Sequence, residues 1–127
     1  MTRTARCCCA HCSIEVKGEP AINAVCHCSN CKRRTGSAFG WSTYFGNVQV
    51  LRKSGELKAY RIRNEQERWF CAQCGTTLFW HSIHFPGQTG IAGGCFQDVP
   101  FPAPSFTVAN EERCAWVGLP AHWQTSF

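Results

Sequence analysis

A chain of 127 residues has the length of one domain, residues 1–127, and can bury a continuous core without disulfides to hold it. Its eleven cysteines would suit a disulfide framework in a secreted chain, but Met1-Thr2-Arg3-Thr4-Ala5-Arg6 is polar and basic and lacks the apolar segment of a signal peptide. No apolar run is long enough to span a bilayer, and the formal charge of +5 suits an anionic small molecule, an acidic protein or nucleic acid without choosing among them. A cytoplasmic location is expected, where thiols stay reduced and such clusters read as metal-binding or catalytic. The longest basic run, Lys32-Arg33-Arg34, is too short for a nucleic-acid arm, so neither nucleic acid nor membrane is the expected partner.

Ile14-Glu15-Val16 alternates apolar and polar, and Lys17-Gly18-Glu19-Pro20 follows as a turn, which predicts a strand leading out of the first cysteine cluster. Residues 21–25 carry the chain into Cys26-His27-Cys28-Ser29-Asn30-Cys31. Ser29 or Asn30 can cap a short helix that ends with Lys32, Arg33 and Arg34 before Gly36, cations suited to the C-terminal end of a helix dipole. Cys31 then falls in the first turn, where unpaired backbone N–H groups favour a thiolate. Residues 38–45, 48–51 and 57–62 are short, aromatic or β-branched, and separated by Gly46-Asn47 and Ser54-Gly55; they read as an antiparallel meander. Arg63-Asn64-Glu65 is a turn, and residues 66–70 form the returning strand that delivers Cys71 and Cys74. Two more strands are expected at 76–81 and 88–96, then a covering loop at Pro100-Phe101-Pro102-Ala103-Pro104. Residues 114–123 carry no readable pattern. The fold class is mainly β with one or two short helical turns.

The thiols set the chemistry. Cys26, Cys28 and Cys31, at i, i+2 and i+5, can converge on one point across a tight turn, as thiolate metal sites require. Cys71-Ala72-Gln73-Cys74-Gly75 is a knuckle whose glycine frees backbone N–H groups to point at sulfur. By spacing, Cys28, Cys31, Cys71 and Cys74 could form one ribbon-like site. Alternatively, Cys7 and Cys9 join Cys71 and Cys74 in a closed site while Cys26, Cys28 and Cys31 hold a second metal with an open position. Four ligands mark a structural zinc, and three plus an exchangeable one a catalytic zinc.

The order Cys7-x-Cys9, Val16-x-Gly18-Glu19-Pro20, Cys26-His27-Cys28-Ser29-x-Cys31, Thr35-Gly36-Ser37-Ala38-Phe39 and Phe70-Cys71-x-x-Cys74-Gly75-Thr76 resembles the glutathione-dependent formaldehyde-activating enzymes, a family that includes centromere protein V. The resemblance implies an antiparallel β-tent fold stabilised by zinc, two ions per chain. It implies that Cys7, Cys9, Cys71 and Cys74 are structural ligands and that Cys26, Cys28 and Cys31 are catalytic ones. Where the family usually has glycine after its first C-x-C, this chain has Ala10, and Cys8 and Cys12 add thiols that could replace Cys9 as ligand. The activity implied is that of a zinc-dependent carbon–sulfur lyase, forming or cleaving S-hydroxymethylglutathione from glutathione and formaldehyde or a related thiol–aldehyde adduct. Three thiolates around Zn²⁺ give a net charge of about −1, which suits holding a fourth thiol better than making hydroxide. Lys32, Arg33, Arg34 or Arg52 could receive glutathione's carboxylates. The alternatives are a non-catalytic zinc module that binds protein or nucleic acid, and a thiol-based metal or redox sensor.

Other residues read more plainly. His27 is local packing or a group behind the metal, and His81 and His84 follow Cys74 too closely for a zinc finger. Cys95 and Cys114 sit among apolar neighbours as small buried residues. Ser37 and Phe39 could line the metal pocket, whereas Trp41, Tyr44, Phe45, Trp69, Phe70, Phe79 and Trp80 read as core.

Overall fold

The computed structural model describes residues 1–98 and 100–126. Its strands are β1 (Thr2–Arg6), β2 (Ser13–Lys17), β3 (Ile22–Cys26), β4 (Gly40–Gly46), β5 (Val50–Ser54), β6 (Leu57–Ile62), β7 (Gln66–Cys71), β8 (Thr77–Ser82), β9 (Gln88–Ala92), β10 (Phe106–Val108) and β11 (Gln124–Ser126), with one α-helix, α1 (Ser29–Thr35), after β3. They form a three-stranded sheet in the order β1-β2-β5 and an eight-stranded sheet in the order β11-β10-β3-β4-β9-β8-β7-β6. The fold is mainly β, as expected.

Alternation drives the layering. Ile14 and Val16 of β2 and Ala5 of β1 point inward from the small sheet, where they meet Phe45, Phe79 and Ile91 from the large one. Phe45, Phe79, Leu78, Ile14 and Ile91 lose essentially all exposure. Each such side chain contributes roughly 1.5–3 kcal/mol, so this face fixes which side of the large sheet is dry. The proline-rich loop covers that core as predicted. Phe101 stacks on Phe96 at 4.5 Å, and Asn23 Nδ2 donates to Pro102 O at 2.9 Å.

The structure corrects several expectations. Residues 48–51 do not begin as a strand: Asn47–Gln49 is a 3-10 turn held by Gln49 Oε1 accepting from Gly46 N, and β5 starts at Val50. The strand expected at 88–96 stops at Ala92, and Gly93–Cys95 turns; a Cβ on Gly93 would lie 2.3 Å from Trp41. The pairing is not all antiparallel, because β10 runs parallel to both β3 and β11. The cap of α1 is neither Ser29 nor Asn30 but Cys28, whose sulfur accepts from Cys31 N at 3.3 Å.

The opposite face of the large sheet carries α1. In register across β4, β9 and β8 lie Tyr44, Gly90 and Trp80. Gly90 has no side chain, which lets the indole of Trp80 cross the strand and donate from Nε1 to Tyr44 Oη at 3.0 Å. A Cβ there would meet that nitrogen at 2.2 Å. Arg34 of α1 rests 4.3 Å above the Trp80 ring, and Arg68 Nη2 of β7 donates to Asn30 Oδ1 at 2.8 Å. Cation–π contact and a charge-assisted hydrogen bond thus hold a seven-residue helix that would not persist alone.

Candidate functional site

Four sulfurs from two distant turns meet at the edge of the core. Cys7 follows β1, and the turn after it closes with Ala10 N donating to Cys7 O at 3.0 Å and Cys7 N to Cys12 O at 3.1 Å. Cys71 ends β7, where Gly75, at φ 79°, folds back to donate to Cys71 O at 2.9 Å. The sulfurs of Cys7, Cys9, Cys71 and Cys74 all lie within 4.8 Å of one another, with Cys7–Cys9 and Cys9–Cys71 both at 3.7 Å. A tetrahedron with Zn–S bonds of about 2.3 Å has sulfur–sulfur edges of about 3.8 Å, so the donor set fits that ion. Backbone N–H groups of Cys12 (3.2 Å, to Cys7), Gln73 (3.3 Å) and Cys74 (3.5 Å, both to Cys71) point at sulfur, as thiolates require.

The extra thiols are not among these four, although Cys12 lies beside Cys7 and Cys71. Cys12 is fully buried and its sulfur donates to Glu56 O at 3.2 Å, while Cys8 is exposed. Hydrogen bonds from Thr76 pull the Cys74 thiol down to about 5, and the backbone N–H of Cys74 lowers Cys71. Against a backbone hydrogen bond from His11, desolvation and the thiols of Cys74, Cys71 and Cys7 push Cys9 up to about 12.

Ala10 adopts φ 65°, a left-handed conformation that costs a residue with a Cβ roughly 1–2 kcal/mol. This is the position at which the sequence departs from glycine. Ala10→Gly should raise stability by about 0.5–1 kcal/mol, part of the relief being offset by the unfolded chain's added freedom, and thermal unfolding would read it.

The second cluster is built by the β3–α1 junction. Cys26 ends β3, Cys28 caps α1 and Cys31 lies in its first turn, and the three sulfurs lie within 4.8 Å of one another. Hydrogen bonds from Cys26 and Cys31 push the Cys28 thiol down to about 2. The same contacts, with burial, drive Cys26 far up; Cys31, although lowered by Cys26, is raised on balance by Cys28 and burial. A cation would let all three ionise.

A cavity of about 370 Å³ opens beside this cluster, with Cys26 and Cys31 in its wall. Its floor is one face of three adjacent strands. Ile22, Ala24 and Cys26 alternate along β3, Phe106 and Val108 pair with the last two from β10, and Ser42 and Tyr44 pair from β4. Phe85 closes the far side, stacked on Tyr44 at 4.2 Å. The Tyr44 hydroxyl accepts from Trp80, and among the described residues no acceptor takes its own proton. Burial raises its pKa, against the Trp80 hydrogen bond, so it remains a phenol at neutral pH. Arg34 sits at the same end. Burial lowers its pKa while the charge of Cys31 raises it, and Nη2 is buried without a hydrogen-bond partner. Gly40 makes room for this pair: a Cβ there would lie 2.7 Å from Arg34 Nη2 and 3.1 Å from Cys31 Cβ.

Of the expected accessory residues, few reach this site. Ser37 is exposed and Phe39 packs edge-on against His27 at 5.7 Å; neither lines the cavity, because the chain turns away after Gly36. Lys32 Nζ is tied to Glu112 O at 2.8 Å, Arg33 is exposed, and Arg52 lies on the small sheet; of the four cations only Arg34 adjoins the cluster. His27 is fully buried, with Nε2 at 3.0 Å from Thr107 Oγ1. Since that hydroxyl donates to Asn110 Oδ1 at 2.7 Å, Nε2 is the protonated nitrogen, and burial keeps the ring neutral. His81 and His84 lie near Glu67 and Glu65. Cys95 and Cys114 are half-buried rather than fully enclosed. Tyr44 and Trp80 are buried, as read from the sequence, and Tyr44 in addition lines the cavity.

The family model described as glutathione-dependent formaldehyde-activating enzyme matches residues 2–112. The chain belongs to that family. A crystal structure of a Rhodobacter sphaeroides protein, determined in a structural-genomics programme, aligns with a TM-score of 0.63 and 23% identity over 76% of this chain and 90% of that one. At that identity the likeness shows the fold alone. Family membership supports an activity related to glutathione and formaldehyde, and the two cysteine clusters could each hold a metal ion. Among the described residues, no helix is long and apolar enough to cross a membrane.

Proposed function

We propose that the chain is a zinc-dependent carbon–sulfur lyase that forms or cleaves S-hydroxymethylglutathione, or a related adduct of a thiol and an aldehyde. The observation that carries this reading is a cluster of three thiols, two of them in the wall of a cavity that a phenol also lines. In this assignment Cys7, Cys9, Cys71 and Cys74 hold one structural zinc, and Cys26, Cys28 and Cys31 hold the catalytic one. Bound by three thiolates, zinc supplies a Lewis-acidic fourth position that keeps an incoming thiol ionised below its ordinary pKa of about 8.5.

The chain's own groups do the rest. Cys28 fixes the site to the start of α1, and Cys26 and Cys31 would hold the ion at the cavity wall, where a thiol can reach it. Arg34 places a cation beside Cys31, which offsets the surplus negative charge of the thiolates in a partly buried setting. In the forward direction the sulfur bonds to the carbonyl carbon, the C=O π pair moves to oxygen, and that oxygen takes a proton. Tyr44, whose oxygen accepts from Trp80, donates a hydrogen bond to that oxygen as its charge builds, and the proton given up by the thiol ends there. The lyase direction breaks the same carbon–sulfur bond and returns the proton. Holding thiol and aldehyde side by side makes the addition effectively intramolecular. Eleven free thiols suit a reducing compartment, and we place this one zinc-binding domain in the cytoplasm.

Native mass spectrometry of the reduced, zinc-replete chain should count two zincs and, with glutathione added, one adduct. With ¹³C-formaldehyde and glutathione, exchange into S-hydroxymethylglutathione should run at least tenfold faster than in buffer, as read by NMR. Unaccelerated exchange in a protein carrying both zincs would defeat the reading.

A further inference from the structure

We infer that the three-thiol site takes aldehydes bearing an apolar substituent, a medium-length alkyl or an aryl group, rather than formaldehyde alone. The inference rests on the thiol–aldehyde reading above and names its substrate class. A one-carbon aldehyde is little larger than a water molecule, whose share of liquid volume is about 30 Å³. The cavity beside Cys26 and Cys31 measures about 370 Å³, roughly ten times more. Something else fills it.

The walls say what. Ile22 and Ala24 of β3, Phe106 and Val108 of β10, and Phe85 present hydrocarbon, and no lining residue outside the thiol cluster carries a charge. The body of glutathione carries two carboxylates and an ammonium group. Burying these without partners would cost several kcal/mol each, so that part of the thiol stays outside and only its sulfur reaches the cluster. The space left belongs to the group attached to the aldehyde carbon. Its oxygen faces the polar wall groups, and its substituent lies against the hydrocarbon of Ala24 on β3 and of Phe106 and Val108 on β10. The atom balance is that of the parent addition. The S–H proton ends on the former carbonyl oxygen, the carbon–sulfur bond replaces the C=O π bond, and no further reactant enters.

Each methylene buried in such walls is worth about 0.8 kcal/mol, roughly fourfold in affinity. Two measurements on the full, zinc-loaded chain test this. Calorimetry compares S-methylglutathione with S-hexylglutathione, and NMR compares catalysed adduct formation by glutathione with formaldehyde and with hexanal. The expected result is at least tenfold tighter binding of the hexyl ligand and at least tenfold higher kcat/KM for hexanal. In Ala24→Trp, whose indole fills the cavity floor, the two ligands should bind equally; Ala24→Leu, a gentler filling, should show a reduced preference should the larger change not fold. Equal binding of both ligands by the unaltered chain, with formaldehyde turned over and hexanal not, would overturn the inference and leave the lyase reading standing. A hexyl preference undiminished in a folded Ala24 variant would overturn it as well. Turnover of neither aldehyde by a chain holding both zincs would overturn the lyase reading and the inference together.

Discussion

Cys74→Ser is expected to abolish cooperative folding. The four sulfurs of Cys7, Cys9, Cys71 and Cys74 join the end of β1 to the end of β7, two segments that belong to different sheets. A structural zinc in such a tetrad contributes an apparent 10–16 kcal/mol at neutral pH. The whole stability of a domain is about 5–15 kcal/mol, so losing one ligand removes most or all of it. Circular dichroism should show loss of strand signal, or a melting transition lowered by tens of degrees, and zinc content should fall. A chelator strong enough to strip the tetrad should do the same to the unaltered chain. Acid should act in the same direction, because the ligands must be deprotonated to bind. A Cys74→Ser protein that melts within a few degrees of the parent would rule out a structural tetrad.

What could be read in the sequence was what is local. The i, i+2, i+5 spacing of Cys26, Cys28 and Cys31 is confined to one turn, so their convergence needs no knowledge of the fold, and the structure brings their sulfurs together. The tetrad is different. Cys9 and Cys71 stand 62 residues apart, and spacing alone allowed a ribbon that paired Cys71 and Cys74 with Cys28 and Cys31. Only the motif resemblance separated the two arrangements. Strand alternation at Ile14 and Val16 and the turn glycine Gly75 were legible for the same reason, since each is fixed by its own neighbours.

The cavity could not be read because it depends on register. Tyr44 and Trp80 are 36 residues apart and looked like core aromatics. They meet because β4, β9 and β8 align Tyr44, Gly90 and Trp80, and because Gly90 leaves the indole room to cross. Phe106 and Val108 enter the floor through a three-residue strand that returns parallel to β3 after the proline loop, too short for any periodicity to show. The helix cap lies one residue before the expected position. Ser29 is the usual capping type, but its hydroxyl and N–H turn to Glu112, and the sulfur of Cys28 takes the cap position instead.

That displacement makes Cys28 the place to separate folding from chemistry. Its sulfur caps α1 through Cys31 N at 3.3 Å and lies with Cys26 and Cys31 in the open cluster. Serine is among the better capping residues, so Cys28→Ser keeps an acceptor for that N–H while removing a thiolate. Cys28→Ala removes both. We expect each variant to hold one zinc where the parent holds two and to lose glutathione adduct formation. Catalysed exchange with formaldehyde should fall at least tenfold, to the uncatalysed rate. Neither should unfold, because α1 remains pinned by Arg34 over Trp80 and by the Arg68–Asn30 hydrogen bond, and the tetrad is untouched. The alanine variant should be less stable than the serine variant by about 1 kcal/mol, the usual worth of an N-cap. Two zincs retained in Cys28→Ser would remove this sulfur from the proposed ligand set. Full activity with one zinc lost would be more damaging, since the chemistry would then have to proceed without the open site.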